Sequence, residues 1–315
     1  MNVLDLFCGC GGLSLGFQNA GFNIVAAYDN WDNAIDIYNT NFTHKAITLD
    51  LSDKQYDFFS KHKADLIIGG PPCQDFSAAG KRIETIARAS LTFKFAEIVC
   101  GLKPKWFVME NVERIVSSFA LEQAVNLFRN NNYGLTQVVI DASRCGVPQK
   151  RKRFFLFGEL FGNDDFIKDD IINNLSDCST TIRDYMGDEL DTEYFYRHPR
   201  SYARRGIFSI DEPSPTIRGV NRPIPKTYNF HKGDAIKDFN LVRPLTTNER
   251  ARIQTFPKDF ILFGNKTDLE QMIGNAVPVK MAEYVANILY KYIMIGREQY
   301  NSNYYQLRNG QLKLY

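Results

Sequence analysis

The sequence predicts an α/β fold with a doubly wound, mostly parallel sheet and a smaller irregular lobe. Three observations support this prediction. Short apolar segments typical of buried strands alternate with helical segments as far as about residue 160. Several of these strands end in glycine or in a carboxylate, at the edge where open α/β sheets bind their ligands. The alternation then stops, and residues 161–242 are polar and rich in Pro, Tyr and Arg.

Composition is that of an ordinary globular protein. The 315 residues are 44% hydrophobic and 23% charged, enough for one large domain or for a large and a small one. No run of eighteen apolar residues and no signal-peptide pattern occurs, so we expect a cytoplasmic protein without a membrane span. The six cysteines form no CxxC pair and no zinc-binding spacing, so we expect free thiols and no metal site.

Charge is unevenly distributed along the chain. Residues 195–260 contain 13 Lys or Arg against 6 Asp or Glu, a net charge of +7, although the whole chain carries only +2. Tyrosines are interleaved with the basic residues, which suits a polyanionic partner such as a nucleic acid. The alternative is chance clustering on a solvated surface.

The N-terminal segment predicts a strand over Val3–Phe7, a glycine turn and a helix to about Ala20. The turn contains Gly9, Gly11 and Gly12, which would let the backbone approach a ligand closely and leave helix N–H groups free. Tight strand–helix turns need glycine in any case, so this signal is weak by itself.

Acidic residues end the next two predicted strands. Asn23–Tyr28 is followed by Asp29, and Ala46–Leu49 is followed by Asp50. An acid at the end of the second strand can accept hydrogen bonds from ribose hydroxyls, and it can equally cap the following helix. The pattern indicates a nucleoside cofactor without identifying it.

A cysteine follows a stiff loop near the middle of the predicted sheet. The strand Asp65–Ile68 runs into Gly69-Gly70-Pro71-Pro72, and the next residue is Cys73. Two prolines exclude helix and hold this thiol just beyond the strand, where chemistry is expected. The alternative is that Cys73 is one more buried small side chain. Residues 74–90 predict a long loop that closes over a substrate.

A carboxylate and a basic block lie at two further strand ends. The strand Lys105–Met109 ends in Glu110, a candidate general acid or else a helix N-cap. Gln149, Arg151 and Arg153 precede the strand Phe154–Phe157, and alternate residues of a strand point the same way. A solvated charge run is the alternative interpretation.

The C-terminal part predicts two helices, over Arg243–Phe256 with Thr246 or Thr247 as N-cap, and over Val279–Ile295 after the turn at 274–278. We therefore predict a catalytic and cofactor-binding domain formed by residues 1–160 and 258–297. Residues 161–257 form the second lobe, and 298–315 form a tail.

The order of these blocks resembles the DNA (cytosine-5) methyltransferases of bacterial and phage restriction-modification systems over about residues 1–295. The resemblance rests on DLFCGCGGLSLGF, GGPPCQDFS, ENV, QKRKR, RPLTTNERARIQTFP and GNAVPVKMAEYVA. It implies transfer of a methyl group from S-adenosylmethionine to carbon 5 of a flipped-out cytosine in a short sequence of double-stranded DNA. It also implies the fold of S-adenosylmethionine-dependent methyltransferases, with residues 161–257 as target-recognition lobe.

The resemblance also assigns roles to residues. Cys73 would add to carbon 6 of the base, Glu110 would interact with ring N3, and Arg153 with Arg151 would hold O2 and a nearby phosphate. The implied cofactor residues are Phe7, Gly9, Gly11, Gly12, Asp29, Asn30, Asp50, Leu51, Pro71, Leu91, Asn275 and Ala276. The expected DNA contacts are Gln74, Ser77, Lys81, Arg82, Gln149, Arg204, Arg205, Thr216, Arg218 and Arg222. Asn30 departs from the bulky residue that often packs adenine there, so either Trp31 or a residue elsewhere would pack the ring.

Three other functions compete with this prediction. A tRNA cytosine-5 methyltransferase would share PPC and ENV, but the long basic insertion favours DNA. A catalytically silent DNA-binding relative has no reason to keep Cys73, Glu110 and Arg153 together. An NAD-dependent oxidoreductase would explain the glycine turn, but it would not explain the PPC, ENV and QxRxR motifs. We further expect a monomer with a functional partner, a restriction endonuclease of the same specificity.

Overall fold

The computed structural model describes residues 1–52, 56–72, 91–199, 201 and 204–296. Its centre is a seven-stranded sheet with the order β3-β2-β1-β4-β5-β8-β6. The strands are β1 (Asn2–Leu6), β2 (Asn23–Asp29), β3 (Ala46–Thr48), β4 (Leu66–Gly69), β5 (Trp106–Val112), β6 (Tyr133–Asp141) and β8 (Lys152–Leu160). The first five in this order pair in parallel, and β8 runs antiparallel to both β5 and β6. The predicted mostly parallel sheet is confirmed.

Helices cover both faces of this sheet because successive strand residues point to opposite sides. Val3, Ile68 and Val108 pack on one face against helices near both chain ends, whereas Leu4 and Phe107 pack on the other. The helices are α1 (Gly12–Asn19), α2 (Asp32–Asn41), α3 (Leu91–Leu102), α4 (Phe119–Asn130), α5 (Lys168–Asn173), α6 (Ile182–Met186), α7 (Thr247–Ile253), α8 (Lys266–Asn275) and α9 (Val279–Ile295). Among the described residues, no helix is long and apolar enough to span a membrane.

The segment beyond β8 forms a smaller unit with little regular structure. β9 (Tyr194–Tyr196) lies between an antiparallel neighbour, β10 (Ile207–Ser209), and a parallel one, β12 (Val242–Pro244). A two-residue strand, β11 (Ser214–Pro215), pairs in parallel with β7 (Gln149–Lys150). This short pairing ties the smaller unit to the chain just before β8.

Several predicted boundaries shift. The segment after β5, where a helix capped by Glu110 was the alternative interpretation, is a 3₁₀ turn over Glu113–Ser117. The helix expected to begin at Arg243 begins at Thr247, because Val242–Pro244 is drawn into the small sheet. Thr246 is its N-cap, in a capping box with Glu249.

A buried carboxyl under the glycine turn gives a pH-dependent prediction. Asp5 on β1 is fully buried, and its Oδ2 accepts a hydrogen bond from Ser14 Oγ at 2.5 Å. Its Oδ1 has no partner among the described residues. Burial raises the pKa of Asp5 to about 8, more than the bond from Ser14 lowers it.

In the unfolded chain Asp5 loses its proton near its ordinary pKa of 3.8, whereas in the folded protein it keeps this proton up to about pH 8. Between pH 4 and 8 the folded state therefore binds one more proton than the unfolded chain. The stability contributed by this proton is fully present below about pH 4 and is lost as pH rises through 8. We expect Asp5→Asn to flatten this loss, by up to about 1.4 kcal/mol per pH unit in that window. Urea unfolding at pH 5 and pH 8 measures it, with exposed Asp259→Asn as control. Parallel pH slopes for Asp5→Asn and wild type would contradict the argument.

Candidate active site and nucleic-acid cleft

A cavity of about 420 Å³ lies at the carboxyl ends of the parallel strands. The residues that predicted a nucleoside cofactor meet there. Of the twelve implied cofactor residues, all except Gly11 line it: Phe7, Gly9, Gly12, Asp29, Asn30, Asp50, Leu51, Pro71, Leu91, Asn275 and Ala276. Trp31, proposed as the substitute for a bulky residue at position 30, lines it too.

The glycine turn between β1 and α1 is hydrogen-bonded to the carboxylate of Asp29. Phe7, Gly9 and Gly11 all have positive φ, which bends the chain sharply between β1 and α1. The N–H groups of Gly9 and Trp31 donate to the two oxygens of Asp29, at 2.8 and 3.0 Å. A Cβ at Gly12 would lie 2.4 Å from the carbonyl oxygen of Val277, so glycine there permits close contact with the turn before α9.

The two acids that end β2 and follow β3 differ in their surroundings. Burial raises the pKa of Asp29, although its backbone hydrogen bonds act in the opposite direction. Asp50 is exposed, and the N–H of Ser52 donates to it at 2.9 Å, which lowers its pKa. Both carboxyl groups face the cavity and can accept hydrogen bonds from a polar ligand.

Glu110 and Arg153 form a buried ion pair in the same cavity. Glu110 lies on β5 and Arg153 on the neighbouring strand β8, with 2.9 Å between Arg153 Nε and Glu110 Oε1. Their side chains are only 10% and 13% exposed. Burial raises the pKa of Glu110 and Arg153 opposes this, with a net upward shift. The carboxyl group therefore keeps its proton to a higher pH than an ordinary glutamate, as a proton donor requires.

The same pair lies next to the end of β4. A Cβ at Gly70 would be 3.3 Å from Glu110 Oε2, and Asn111 Nδ2 donates to the carbonyl of Pro71 at 2.9 Å. Cys73 follows Pro72 directly in the sequence but lies outside the described residues, as do the predicted DNA contacts Gln74, Ser77, Lys81 and Arg82. The described part of the PPC block thus reaches the Glu110–Arg153 pair.

The two arginines of the basic block line the same cavity and groove but have different hydrogen-bond partners. Arg151 precedes β8 and is 1% exposed, and both terminal nitrogens of its guanidinium donate to main-chain carbonyls of Ile217, Gly274 and Ala276. The predicted contact of Arg151 with a base and a phosphate does not fit this geometry. Arg151 and Arg153 do line the same cavity, as the alternation predicted, but distant main-chain carbonyls bind the guanidinium of Arg151.

Gln149 is also buried and bonded within the protein. Its Oε1 accepts from the N–H of Ile217 at 2.8 Å, and its Nε2 donates to Gln254 Oε1 at 2.7 Å. The predicted DNA contact of Gln149 is therefore corrected: its amide joins parts of the fold that are distant in sequence.

A larger groove of about 940 Å³ opens beside the cavity. The two spaces share Val112, Arg114, Arg151, Arg153, Gly274 and Asn275. The groove is otherwise rich in basic side chains, namely Lys150, Lys152, Arg197, Arg204, Arg205 and Arg218. Such a groove suits a polyanion, with its reacting part entering the adjacent cavity. Four of the basic residues in the two spaces were not predicted from the sequence: Arg114, Lys150, Lys152 and Arg197. Lys150 and Lys152 belong to the QKRKR block, which did predict a basic site.

The predicted DNA contacts in the second lobe divide into two kinds. Arg204 is exposed and lines the groove, and Arg222 is exposed nearby, with a charge that helps to lower the pKa of His198. Three others line the groove but already have partners in the protein. Arg205 pairs with Glu212 and stacks on Phe208, Thr216 Oγ1 donates to the carbonyl of Lys150, and Arg218 donates to the carbonyl of His198.

Comparison with known proteins gives a consistent result. The family model of C-5 cytosine-specific DNA methylases matches residues 1–291. The Type II methyltransferase M.HindV of Haemophilus influenzae is 57% identical over 293 residues, which cover 92% of this chain and 96% of that protein. The Type II methyltransferase M.HgiDI of Herpetosiphon aurantiacus is 54% identical over 301 residues, with coverages of 95% and 97%.

Solved structures agree in fold. The Dnmt2 methyltransferase of S. pombe superposes with a TM-score of 0.74 at 21% identity, covering 92% of this chain and 98% of that one. The Entamoeba histolytica methyltransferase EhMeth gives a TM-score of 0.67 at 18% identity. At such identities the likeness concerns the fold alone, whereas the family model spans both the cavity and the groove. The chain therefore belongs to the C-5 cytosine-specific DNA methylases and is a DNA (cytosine-5) methyltransferase.

Proposed function

We propose that this enzyme takes its methyl group from S-adenosylmethionine and modifies one cytosine in a short sequence of double-stranded DNA, as the modification partner of a restriction endonuclease. The observation that carries the proposal is the buried Glu110–Arg153 pair in a cavity that opens onto a basic groove. The relatives named as Type II methyltransferases support the restriction-modification context. A bacterial or phage enzyme of this kind would act in the cytoplasm as a monomer.

The lining of the cavity fits S-adenosylmethionine. The glycine turn would allow close backbone approach, Asp29 would accept hydrogen bonds from the ribose hydroxyls, and the adenine would lie near Asp50; all three line the cavity. Asn275 and Ala276 would hold the amino-acid end together with the turn, and Trp31 offers an aromatic surface for the adenine ring. When bound, this cofactor supplies a methyl group activated by a sulfonium centre.

Asp29 gives a direct test of this cofactor site. We expect Asp29→Asn to weaken binding of S-adenosylhomocysteine about tenfold or more, because the carboxylate would accept charge-assisted hydrogen bonds from two hydroxyls. Isothermal titration calorimetry on the DNA-free protein measures the change. Asp32→Asn is the matched control, since Asp32 is exposed at the start of α2 and does not line the cavity. An unchanged dissociation constant for Asp29→Asn would exclude the ribose role.

The chemistry follows from the weakness of carbon 5 as a nucleophile. We propose that Cys73 adds as its thiolate to carbon 6 of cytosine, which makes carbon 5 nucleophilic like an enamine carbon. Glu110 donates a proton or hydrogen bond to ring N3 and so stabilises the charge that develops on the ring. Arg153 orients Glu110 through its Nε. After methylation, a base from solvent takes the carbon 5 proton, the C5–C6 double bond forms again and the C6–S bond breaks, so that Cys73 leaves as its thiolate. A proton taken up by N3 returns to Glu110.

Catalysis and target recognition would belong to different predicted domains. Residues 1–160 and 258–297 would form the catalytic domain, and residues 161–257 the target-recognition domain, with the groove between them. The tail at 298–315 lies outside the described residues. The cytosine must leave the duplex to reach the cavity, at a cost of a few kcal/mol. Arg204 and Arg222 are the exposed arginines we assign to DNA, mainly to phosphates.

Methylome sequencing tests this function most directly. The chain is expressed in a bacterial host without its own cytosine methylation, and genomic DNA is sequenced after bisulfite or enzymatic conversion. We expect near-complete protection of one cytosine in one short motif, and none with Cys73→Ala. No protection by soluble, folded wild-type protein would overturn the proposal. Transfer of labelled methyl groups to tRNA would then test the competing RNA-modifying function.

A further inference from the structure

Three buried side chains connect the two ligand-binding regions of this enzyme. Gln149 in β7, Arg151 just before β8 and Gln254 at the C-cap of α7 are each at most 1% exposed. Their polar groups are bonded mainly to main-chain atoms of two distant segments. We call these three residues the carbonyl clamp.

On one side, the carbonyl clamp holds the recognition segment at Ile217. The N–H of Ile217 donates to Gln149 Oε1 at 2.8 Å, and its carbonyl accepts from Arg151 Nη1 at 2.9 Å. Both hydrogen-bonding groups of this peptide position are therefore fixed. Ile217 lines the basic groove between Thr216 and Arg218, which line it as well.

On the other side, the carbonyl clamp holds the last turn of α8 and Ala276, which follows it. Arg151 Nη2 donates to the carbonyls of Gly274 and Ala276, at 3.0 and 3.1 Å. Gln254 Nε2 donates to the carbonyls of Ile273 and Ala276, at 2.5 and 3.0 Å. Gly274 and Ala276 line the cofactor cavity, and so does the intervening Asn275.

The two segments also touch directly. A Cβ at Gly274 would lie 2.3 Å from the backbone nitrogen of Gly219, so the two chains pack backbone against backbone. Arg151 donates to both, through one rigid planar guanidinium. A displacement of Ile217 must therefore either move Gly274 and Ala276 or break a buried hydrogen bond.

We infer that Arg151 is a positioning residue that couples occupancy of the DNA groove to the affinity of the cofactor cavity. DNA that settles against the segment around Ile217 would set the position of the turn at 274–276, and a bound cofactor would act on the groove in return. Such coupling is reciprocal, because the two binding free energies share one thermodynamic cycle. The inference rests on the proposed cofactor site.

Arg250 offers a matched control for the loss of a buried arginine. It is 4% exposed, its Nη2 donates to the carbonyl of Arg218, and it pairs with Glu270 in α8. It thus ties the same recognition segment to the same helix, but none of its described hydrogen bonds or ion pairs reaches the turn at 274–276. A purely structural role would make Arg250→Lys and Arg151→Lys alike in their effects.

The test measures the dissociation constant of S-adenosylhomocysteine by calorimetry, without DNA and with a duplex that carries the mapped methylation site. We expect the duplex to tighten binding by wild type by about 5–150-fold. The coupling ratio is the dissociation constant without duplex divided by the one with duplex. In Arg151→Lys this ratio should fall at least fivefold, while in Arg250→Lys it should stay within twofold of the wild-type value. The affinity for the duplex, measured with and without S-adenosylhomocysteine, should change by the same factor. Thermal melting confirms that each variant is folded.

Gln149→Met is the second variant, because it releases the N–H of Ile217 and leaves the charge of Arg151 in place; it should also reduce the ratio. The inference is overturned if wild type shows no coupling, if both clamp variants keep the wild-type ratio, or if Arg250→Lys loses as much of it as Arg151→Lys. If wild type methylates its site but shows no coupling, only this inference fails. If it neither binds S-adenosylhomocysteine nor methylates DNA, the proposed function fails.

Discussion

Replacement of Cys73 by alanine is expected to abolish methyl transfer, with a loss on the order of 10⁴-fold or more, while the protein stays folded. Without a thiolate at carbon 6, carbon 5 of cytosine is too weakly nucleophilic to be methylated. The residues just before Cys73 support this assignment, because they contact β5. The carbonyl of Pro71 is fixed by Asn111, and Glu110 lies against Gly70, only three residues before the cysteine.

Single-turnover transfer of tritiated methyl groups to duplex DNA measures this effect, and Cys178→Ala serves as control because Cys178 is exposed and free. A second readout follows from the proposed chemistry. A duplex with 5-fluorocytosine at the target position blocks the final elimination, so wild type should form a covalent adduct that survives denaturation. Cys73→Ala should form none. Methylation retained by Cys73→Ala would rule out the covalent mechanism.

Glu110→Gln is expected to slow the chemical step by about 10²–10⁴-fold, while affinity for DNA stays within about twofold. Glutamine keeps the shape of the side chain and can accept the bond from Arg153 Nε, but it has no acidic proton to give to ring N3. Because burial raises the pKa of Glu110, the wild-type rate should fall as pH rises through that pKa. The variant should lack this decrease.

Single-turnover rates across a pH series, together with binding titrations by fluorescence anisotropy, separate the two effects. Glu122→Gln is the matched control, because Glu122 in α4 is exposed and lines neither the cavity nor the groove. Equal losses of rate and of DNA affinity in Glu110→Gln would indicate a structural role for this carboxyl group.

Local sequence determined the fold class and much of the cavity. Apolar strands alternating with helices dictate a parallel sheet, and the loops at the carboxyl ends of such strands must converge. Asp29, Asp50 and Glu110 could therefore be assigned to one edge of the sheet, since each lies near the carboxyl end of a strand. The glycine turn and the acids could be placed at this edge without any knowledge of side-chain contacts, because strand ends alone fix their position.

Only the tertiary structure decided how the basic block is used. Gln149, Arg151 and Arg153 read alike in the sequence, yet Arg153 meets Glu110 whereas Gln149 and Arg151 bind main-chain groups. The partners of Arg151 lie 66, 123 and 125 positions further along the chain. An arginine either contacts a ligand or donates to buried main-chain carbonyls. Which of the two it does depends on whether distant carbonyls that need a donor pack against it. A local pattern contains no information on that choice, because burial and hydrogen-bond partners are settled only when the lobes pack.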